Sequence, residues 1–321
     1  MKYLVRRILR ALLLMIGVSS LCFLLTQIAP GKFFDELRLN PQISPETIAG
    51  LNSRYGLDQP VILRYGRWLG AVAHGDFGYS VAYNSPVASL LWARLGNTLL
   101  LTITAMILIW VIALPLGVLA AANRAVDNVL SGATSFFLSI PEIVIAIGLL
   151  AVVVRGRMLP VGGMHSLGFE ELSRGENLKD LVFHLVLPVS ILVLTGWPII
   201  FRHVRASVLE VLDAPYVVAA RGLGIGPARL LFRHVLPVAA NPAISLFGFS
   251  LAGLLSGSLL VEAITGWPGL GPLILEATLS RDLFVVVGGA MLSAAFMIGG
   301  NLVADLMLLA CDPRIRTEAQ G

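Results

Sequence analysis

The sequence predicts an all-α polytopic membrane protein with six transmembrane helices. Three observations support this class: the composition, the length of the apolar runs, and the distribution of lysine and arginine. The 321-residue chain is 57% hydrophobic and only 13% charged, whereas about a quarter of the residues in a soluble protein are charged. The bilayer is therefore expected to be the main solvent. The net charge of +4 is small and gives no reason to expect a nucleic-acid partner.

Six apolar runs are long enough to span a bilayer, which takes roughly 20 residues. They cover residues 8–29, 98–122, 129–154, 181–201, 243–264 and 284–310. The first run follows three arginines and could be mistaken for a secretory signal. It is longer than the roughly 7–15 apolar residues of a signal core, and five more runs follow it. We therefore expect an uncleaved first helix.

The basic residues of the short loops predict the orientation. Lysine and arginine cluster before the first span, between the fourth and fifth spans, and in the tail. With six spans these clusters lie on one side, so both termini are expected in the cytoplasm. The predicted segments are an N-terminal helix (1–29), an extracytoplasmic segment (30–96), a five-helix core (97–310) with a cytoplasmic loop (202–240), and a cytoplasmic tail (311–321).

The extracytoplasmic segment is predicted to be a small helical cap. Ser44 and Pro45 have the residue types of a helix N-cap and first helical position, and Gly56 is typical of a helix end. A second amphipathic helix is expected from Pro60. Its apolar side chains at helical spacing are Val61, Tyr65, Trp68, Leu69 and Val72.

Several catalytic and binding motifs are missing from the sequence. No lysine lies in a phosphate-binding loop, so the chain is not expected to bind ATP itself. Neither a zinc-protease motif nor a serine nucleophile elbow occurs, and the five histidines show no ligand spacing. Cys22 and Cys311 lie at different expected depths, so no disulfide is predicted. We expect a non-enzymatic protein with no metal and no cofactor.

The predicted cytoplasmic loop contains two short helices around a glycine turn. Pro215 suits the first turn of a helix that has Asp213 near its start, and Pro227 suits the first turn of another. Gly222, Gly224 and Gly226 separate the two helices. At helical spacing, one face of the first helix carries Tyr216, Ala219 and Ala220, and one face of the second carries Leu230, Leu231 and His234. From these residues alone, the loop is either a docking surface for a protein or a pair of helices lying on the membrane.

This loop resembles the coupling loop of permeases in binding-protein-dependent ATP-binding-cassette importers. That family's pattern is E-A-A-x-x-x-G, nine further residues, and I-x-L-P. The matching positions are Ala219, Ala220, Gly224, Leu236 and Pro237, with His234 at the isoleucine position and Val218 in place of the glutamate. The branch that imports peptides, nickel and opines is matched by Tyr216, Ala220, Arg221, Arg233, His234 and Leu236. Leu223 stands where that branch usually has lysine.

The resemblance covers nearly the whole chain. Further matching positions are residues 56–60, Tyr65, Trp68, 75–78 with Ser80, 266–271, 281–282, Asn301, Asp305 and 312–316. The resemblance implies the type I importer permease fold and a place in the bacterial inner membrane. It also implies four kinds of partner: a second homologous permease, two ATP-binding subunits that hold the ATP, an extracytoplasmic binding protein near segment 30–96, and lipid. It implies import of di- or oligopeptides, with nickel, a metallophore or an opine as the alternative.

Pro141 and Glu142 lie inside the third predicted span. The proline removes a helix hydrogen bond and predicts a kink. A charge at this depth costs roughly 2.5–3.5 kcal/mol on insertion scales, so the carboxylate is expected to face a cavity, a partner or water. Two hypotheses remain open: a pathway carboxylate that favours cationic groups, and a carboxyl at a contact between helices. A secondary transporter is disfavoured, because the spans show no second copy of their pattern.

Overall fold

The computed structural model describes residues 2–28, 46, 50, 59–80 and 82–311, and most of these are helical. The helices are α1 (Lys2–Ile28), α2 (Val61–Val72), α3 (Val87–Ala122), α4 (Arg124–Ser139), α5 (Glu142–Gly156), α6 (Arg174–Leu212), α7 (Pro215–Gly222), α8 (Pro227–Leu230), α9 (Leu236–Thr265), α10 (Leu270–Leu279) and α11 (Leu283–Cys311). A π-helical turn, Leu231–Val235, joins α8 to α9. The strands β1 (Tyr79–Ser80) and β2 (Ser85–Pro86) form a small antiparallel hairpin. The predicted all-α class is confirmed.

Within the described residues there are five single helical stretches that could span a membrane, or up to seven candidate spans if two interrupted pairs each count as one. The single stretches match the first, second, fourth and sixth predicted spans, and a further one covers Pro227–Gly248. The pairs are α4 with α5, and Gly253–Thr265 with α10. The predicted fifth span is therefore divided between a single stretch and a pair. The count of six stays a prediction.

The break between α4 and α5 falls where the sequence predicted a kink. Ile140 is extended and ends α4, and Pro141 is the N-cap of α5. The axes of the two helices differ by 97°, so the chain turns sharply here instead of bending gently. Proline explains the break, because it has no N–H to continue the helix and forces the preceding residue into an extended conformation.

The chain divides into two compact units, which do not follow the predicted segments. The first unit comprises Met1–Asn97 and Pro268–Phe296, and the second comprises Thr98–Trp267 and Met297–Gly321. These units reflect packing, whereas the predicted segments describe sidedness in the membrane, which stays a prediction.

In the first unit, α2 packs its apolar face on α1. Trp68 is buried beside Phe23 of α1, and its indole N–H donates to the carbonyl of Phe77 at 3.0 Å. The hydroxyl groups of Tyr65 and Ser19 form a hydrogen bond at 2.9 Å. The amphipathic helix expected from Pro60 is therefore confirmed. The helix expected from Ser44 lies outside the described residues.

The first unit also brings together two stretches that are far apart in sequence. The buried carboxylate of Asp282 accepts hydrogen bonds from Ser80 Oγ at 2.6 Å and from the N–H of Ala82 at 3.2 Å. Asp282 precedes α11, where the N–H of Val285 also points at the carboxylate, at 3.4 Å. One buried side chain thus fixes the hairpin to the start of a helix.

The core of the second unit is formed by α3, α6 and α9 together with α4 and α5. A close approach between α3 and α6 requires a small residue at Gly117, because a Cβ there would lie 2.8 Å from Val204 Cγ1 and 3.2 Å from the backbone nitrogen of Arg205. Arg205 of α6 holds Asp127 of α4 with two nitrogens, one of them 2.6 Å from Oδ2. The predicted cytoplasmic loop and a cavity lined by Glu142 both belong to this unit.

Candidate functional site

The coupling segment, residues 213–237, begins where α6 ends. Asp213 is the C-cap residue that follows this helix, and it is exposed. Ala214 is extended, and Pro215 then occupies the first position of α7 as predicted, where a missing N–H costs nothing. Val217 is fully buried and anchors α7 to the core of the second unit.

The glycine turn after α7 depends on one left-handed residue. α7 ends at Gly222, and Gly224 has φ +79°, a conformation that glycine adopts without steric cost. The N–H groups of Leu223, Gly224 and Ile225 donate back to carbonyls of α7 at 3.0–3.3 Å. Backbone hydrogen bonds therefore close the turn, and the predicted break between the two helices is confirmed.

The second short helix continues through a wide turn into α9. Pro227 begins α8 as predicted, and the N–H of Leu236 donates to Leu231 five residues back. The next residue, Pro237, has no N–H, and in an α-helix its ring would clash with the carbonyl of Arg233. The wide turn accommodates this proline. The hydroxyl of Tyr216 donates to the carbonyl of His234 at 3.4 Å and links α7 to the turn.

The outer surface of the coupling segment is apolar and basic. Leu223 is 84% exposed and Phe232 is 70% exposed. The other exposed members of this surface are Tyr216, Val218, Arg221, Arg229 and Arg233. Val217, Leu230 and Val235 hold the segment from beneath. The surface is thus a set of large exposed side chains supported by a buried layer.

The structure separates the sequence-predicted site residues into two groups. The exposed ones are Asp213, Tyr216, Ala219, Arg221, Gly224, Arg233 and Pro237, and the half-buried ones are Ala220, His234 and Leu236. The sequence analysis did not single out Phe232 or the anchor Val217. An apolar residue at every third position from Ala214 to Ala220 could have indicated the buried face of α7.

Glu142 lines a cavity of about 290 Å³ in the second unit, and no residue of the coupling segment lines it. Pro141 directly precedes Glu142 as the N-cap of α5. Glu142 begins α5, and its Oε1 lies 3.5 Å from where a Cβ on Gly257 of α9 would be. The carboxylate therefore meets both hypotheses geometrically: it lines a cavity and lies against a neighbouring helix.

Comparison with known protein families matches almost the whole chain. Residues 113–317 match the model described as "Binding-protein-dependent transport system inner membrane component". Residues 1–102 match the model of the N-terminal part of the membrane component of such systems. Together the two matches include the coupling segment, Glu142, and the first and last candidate spans.

Three curated relatives align over almost their full lengths. The oligopeptide transport system permease protein AppB of Bacillus subtilis is 34% identical over 98% of both chains. The dipeptide transport system permease protein DppB of Escherichia coli is 33% identical, over 98% of this chain and 99% of DppB. The metal-staphylopine import system permease protein CntB of Staphylococcus aureus is 32% identical over 99% of both.

Among solved structures, the inward-facing methionine ABC transporter MetNI is similar to this chain, with a TM-score of 0.54. The match covers 70% of this chain and 96% of that chain at 20% identity, so it shows a shared fold. The family models and the full-length relatives agree with this fold. The chain therefore belongs to the family of inner-membrane components of binding-protein-dependent transport systems.

Proposed function

We propose that this chain is one of two permease subunits of an ATP-driven importer for peptides, and that the coupling segment transmits the motion of an ATP-binding subunit. The observation that carries this proposal is the exposed surface of Leu223 and Phe232, with Val217 buried beneath it. A segment anchored in this way can pass a displacement to α6 and α9 without deforming. The partners would be a second homologous permease, two ATP-binding subunits that hold the ATP, and an extracytoplasmic binding protein.

Docking to a protein fits the surface better than lying on lipid. An interfacial helix buries one continuous apolar face in the membrane surface. Here α7 has eight residues and α8 has four, and a left-handed glycine lies between them. This compact shape suits insertion into a groove. In this arrangement both termini lie in the cytoplasm, and the chain itself catalyses nothing.

Peptides are the proposed cargo because two of the three relatives named above carry oligopeptide or dipeptide transport in their names. A metal complex is the second candidate, because CntB is named for metal-staphylopine import and is almost equally similar. Identities of 34%, 33% and 32% do not separate these cargoes. The two cargoes can be separated by measuring ATP-dependent uptake by the reconstituted importer, once with trialanine and once with a nickel–histidine complex.

Co-purification from native membranes tests the coupling role. Leu223→Asp and Phe232→Asp should lose the ATP-binding subunit and keep the second permease, because each places a charge on the docking surface. Leu167→Asp is the matched control, since Leu167 is fully exposed in the same unit but outside the coupling segment. It should keep both partners.

Two results would overturn the proposal. One is retention of the ATP-binding subunit by both coupling-segment variants. The other is a wild-type chain that purifies alone and moves solute in vesicles without ATP, which would indicate a secondary transporter. Loss of both partners in all three variants would indicate general misfolding and would also count against a specific docking surface.

A further inference from the structure

The cavity beside Glu142, called the Glu142 cavity below, has one charged group in its lining. Glu142 supplies that charge, and Trp110, Thr195 and Ser250 supply the other polar side chains. Every other lining residue is aliphatic or glycine, as at Leu254. No lysine or arginine lines the cavity within the described part of the chain.

The hydrogen-bond donors of the lining side chains are already used. The indole N–H of Trp110 donates to Ser250 Oγ at 3.2 Å, and the Ser250 hydroxyl donates to the carbonyl of Phe247 at 2.8 Å. The Thr195 hydroxyl donates to carbonyls one turn back, at 3.1 and 3.2 Å. These side chains can still accept hydrogen bonds from a molecule in the cavity. The available acceptors are the lone pairs of the Thr195 hydroxyl and the two carboxyl oxygens of Glu142.

Glu142 lies at the start of a helix and is half-buried. It is the first residue of a 15-residue helix, where free backbone N–H groups stabilise an anion. Among the described residues the carboxylate makes no hydrogen bond or ion pair. A carboxyl group without a protein partner, in a cavity that presents no spare donors, is complementary to a cation that carries several N–H groups, because a cation bound beside it would stabilise the carboxylate.

The size of the cavity limits what it can take. At about 290 Å³ it lies near the lower end of the roughly 300–1,000 Å³ of typical small-molecule pockets. It would hold one end of a peptide, meaning an amine and one small apolar side chain. Gly253 contributes open space, because a Cβ built there meets no atom within 4 Å.

We propose that the Glu142 cavity is a subsite of the translocation pathway for the ammonium group at the amino end of a transported peptide. The carboxylate accepts from the ammonium, Thr195 accepts from it as well, and the aliphatic walls contact the first side chain. The identity of the ligand in this inference rests on the proposed peptide import. The size and lining of the subsite follow from the cavity itself.

The first test compares uptake of trialanine and N-acetyl-trialanine by the reconstituted complex. Wild type, Glu142→Gln, Glu142→Asp and the exposed-carboxylate control Glu170→Gln all use the same binding protein, so its own preference cancels between them. Glu142→Gln should lower the preference for the free amine by at least about tenfold, the factor expected for one hydrogen bond to a charged group. Glu142→Asp should keep most of the preference, and the control should keep all of it.

The second test needs no transport. Quenching of Trp110 fluorescence in the purified complex would report binding of n-butylammonium and of n-butanol, which match in size, and Trp110→Phe identifies the signal. The ammonium should bind at least about tenfold more tightly to wild type and no more tightly than the alcohol to Glu142→Gln. If the complex imports neither peptide but this difference appears, the subsite stands and the peptide cargo fails.

Three results would overturn the subsite. The first is equal binding of ammonium and alcohol to wild type. The second is an unchanged uptake preference in Glu142→Gln. The third is equal loss of uptake in Glu142→Gln and Glu142→Asp, which would assign the carboxylate to helix packing against Gly257.

Discussion

Replacing Gly224 by alanine should loosen the coupling segment without touching any neighbour. A Cβ built on Gly224 meets no atom within 4 Å, so the cost comes from the backbone alone. At φ +79° an L-residue pays roughly 1–2 kcal/mol relative to glycine. Gly222→Ala is the matched control, because Gly222 also has open space around it but ends α7 without a positive φ. There alanine should be neutral or stabilising by up to about 1 kcal/mol.

Amide hydrogen exchange followed by mass spectrometry measures this difference directly. The N–H groups of Leu223, Gly224 and Ile225 are protected only while the turn is closed. A cost of about 1–2 kcal/mol should raise the open population, and therefore their exchange rate, about 5–30-fold in Gly224→Ala. The control should exchange at the wild-type rate or more slowly. Equal exchange in the two variants would refute the argument that the left-handed conformation holds the turn.

Two further predictions concern the first unit. Asp282→Ala leaves the hydroxyl proton of Ser80 and the N–H of Ala82 without an acceptor, so thermal unfolding in detergent should show a loss of about 2–6 kcal/mol. Ser80→Ala leaves the N–H of Tyr83 without its acceptor and should cost about 1–3 kcal/mol. Unchanged stability in Asp282→Ala would contradict the role of the carboxylate. Burial and the hydrogen bond to Glu276 raise the pKa of Tyr83 to about 12. Because this folded-state pKa lies above the ordinary value of 10, the contribution of the pair is complete below pH 10 and is lost as the pH rises towards 12. Phenolate absorbance should show one late-titrating tyrosine that disappears in Tyr83→Phe, and its persistence in that variant would reassign the signal.

Local signals in the sequence predicted the coupling segment well. Pro215, Gly222, Gly224 and Pro227 each act through their own backbone: proline fixes φ and lacks an N–H, and glycine reaches positive φ. Such effects depend little on the rest of the chain, so the helix starts and the break fall where they were predicted.

Features that depend on tertiary packing could not be predicted in the same way. Pro141 predicts a kink, but an angle of 97° depends on the helices that pack on both arms. Ser80 and Asp282 were both noticed in the sequence, yet nothing local pairs residues 202 positions apart. Packing against the core of the second unit likewise determines that Val217, and not Tyr216, is the buried residue of α7.

The π-helical turn Leu231–Val235 fixes the rotational phase of α9 relative to the coupling segment. An α-helix advances about 100° and 1.5 Å for each residue, so one residue fewer in this turn would rotate every later side chain of α9 by about that angle. Ser250, Gly253 and Gly257, which now line the Glu142 cavity, would leave it together. Single-residue insertions and deletions at this point should therefore be far less tolerated than substitutions, even though Phe232 within the turn is largely exposed.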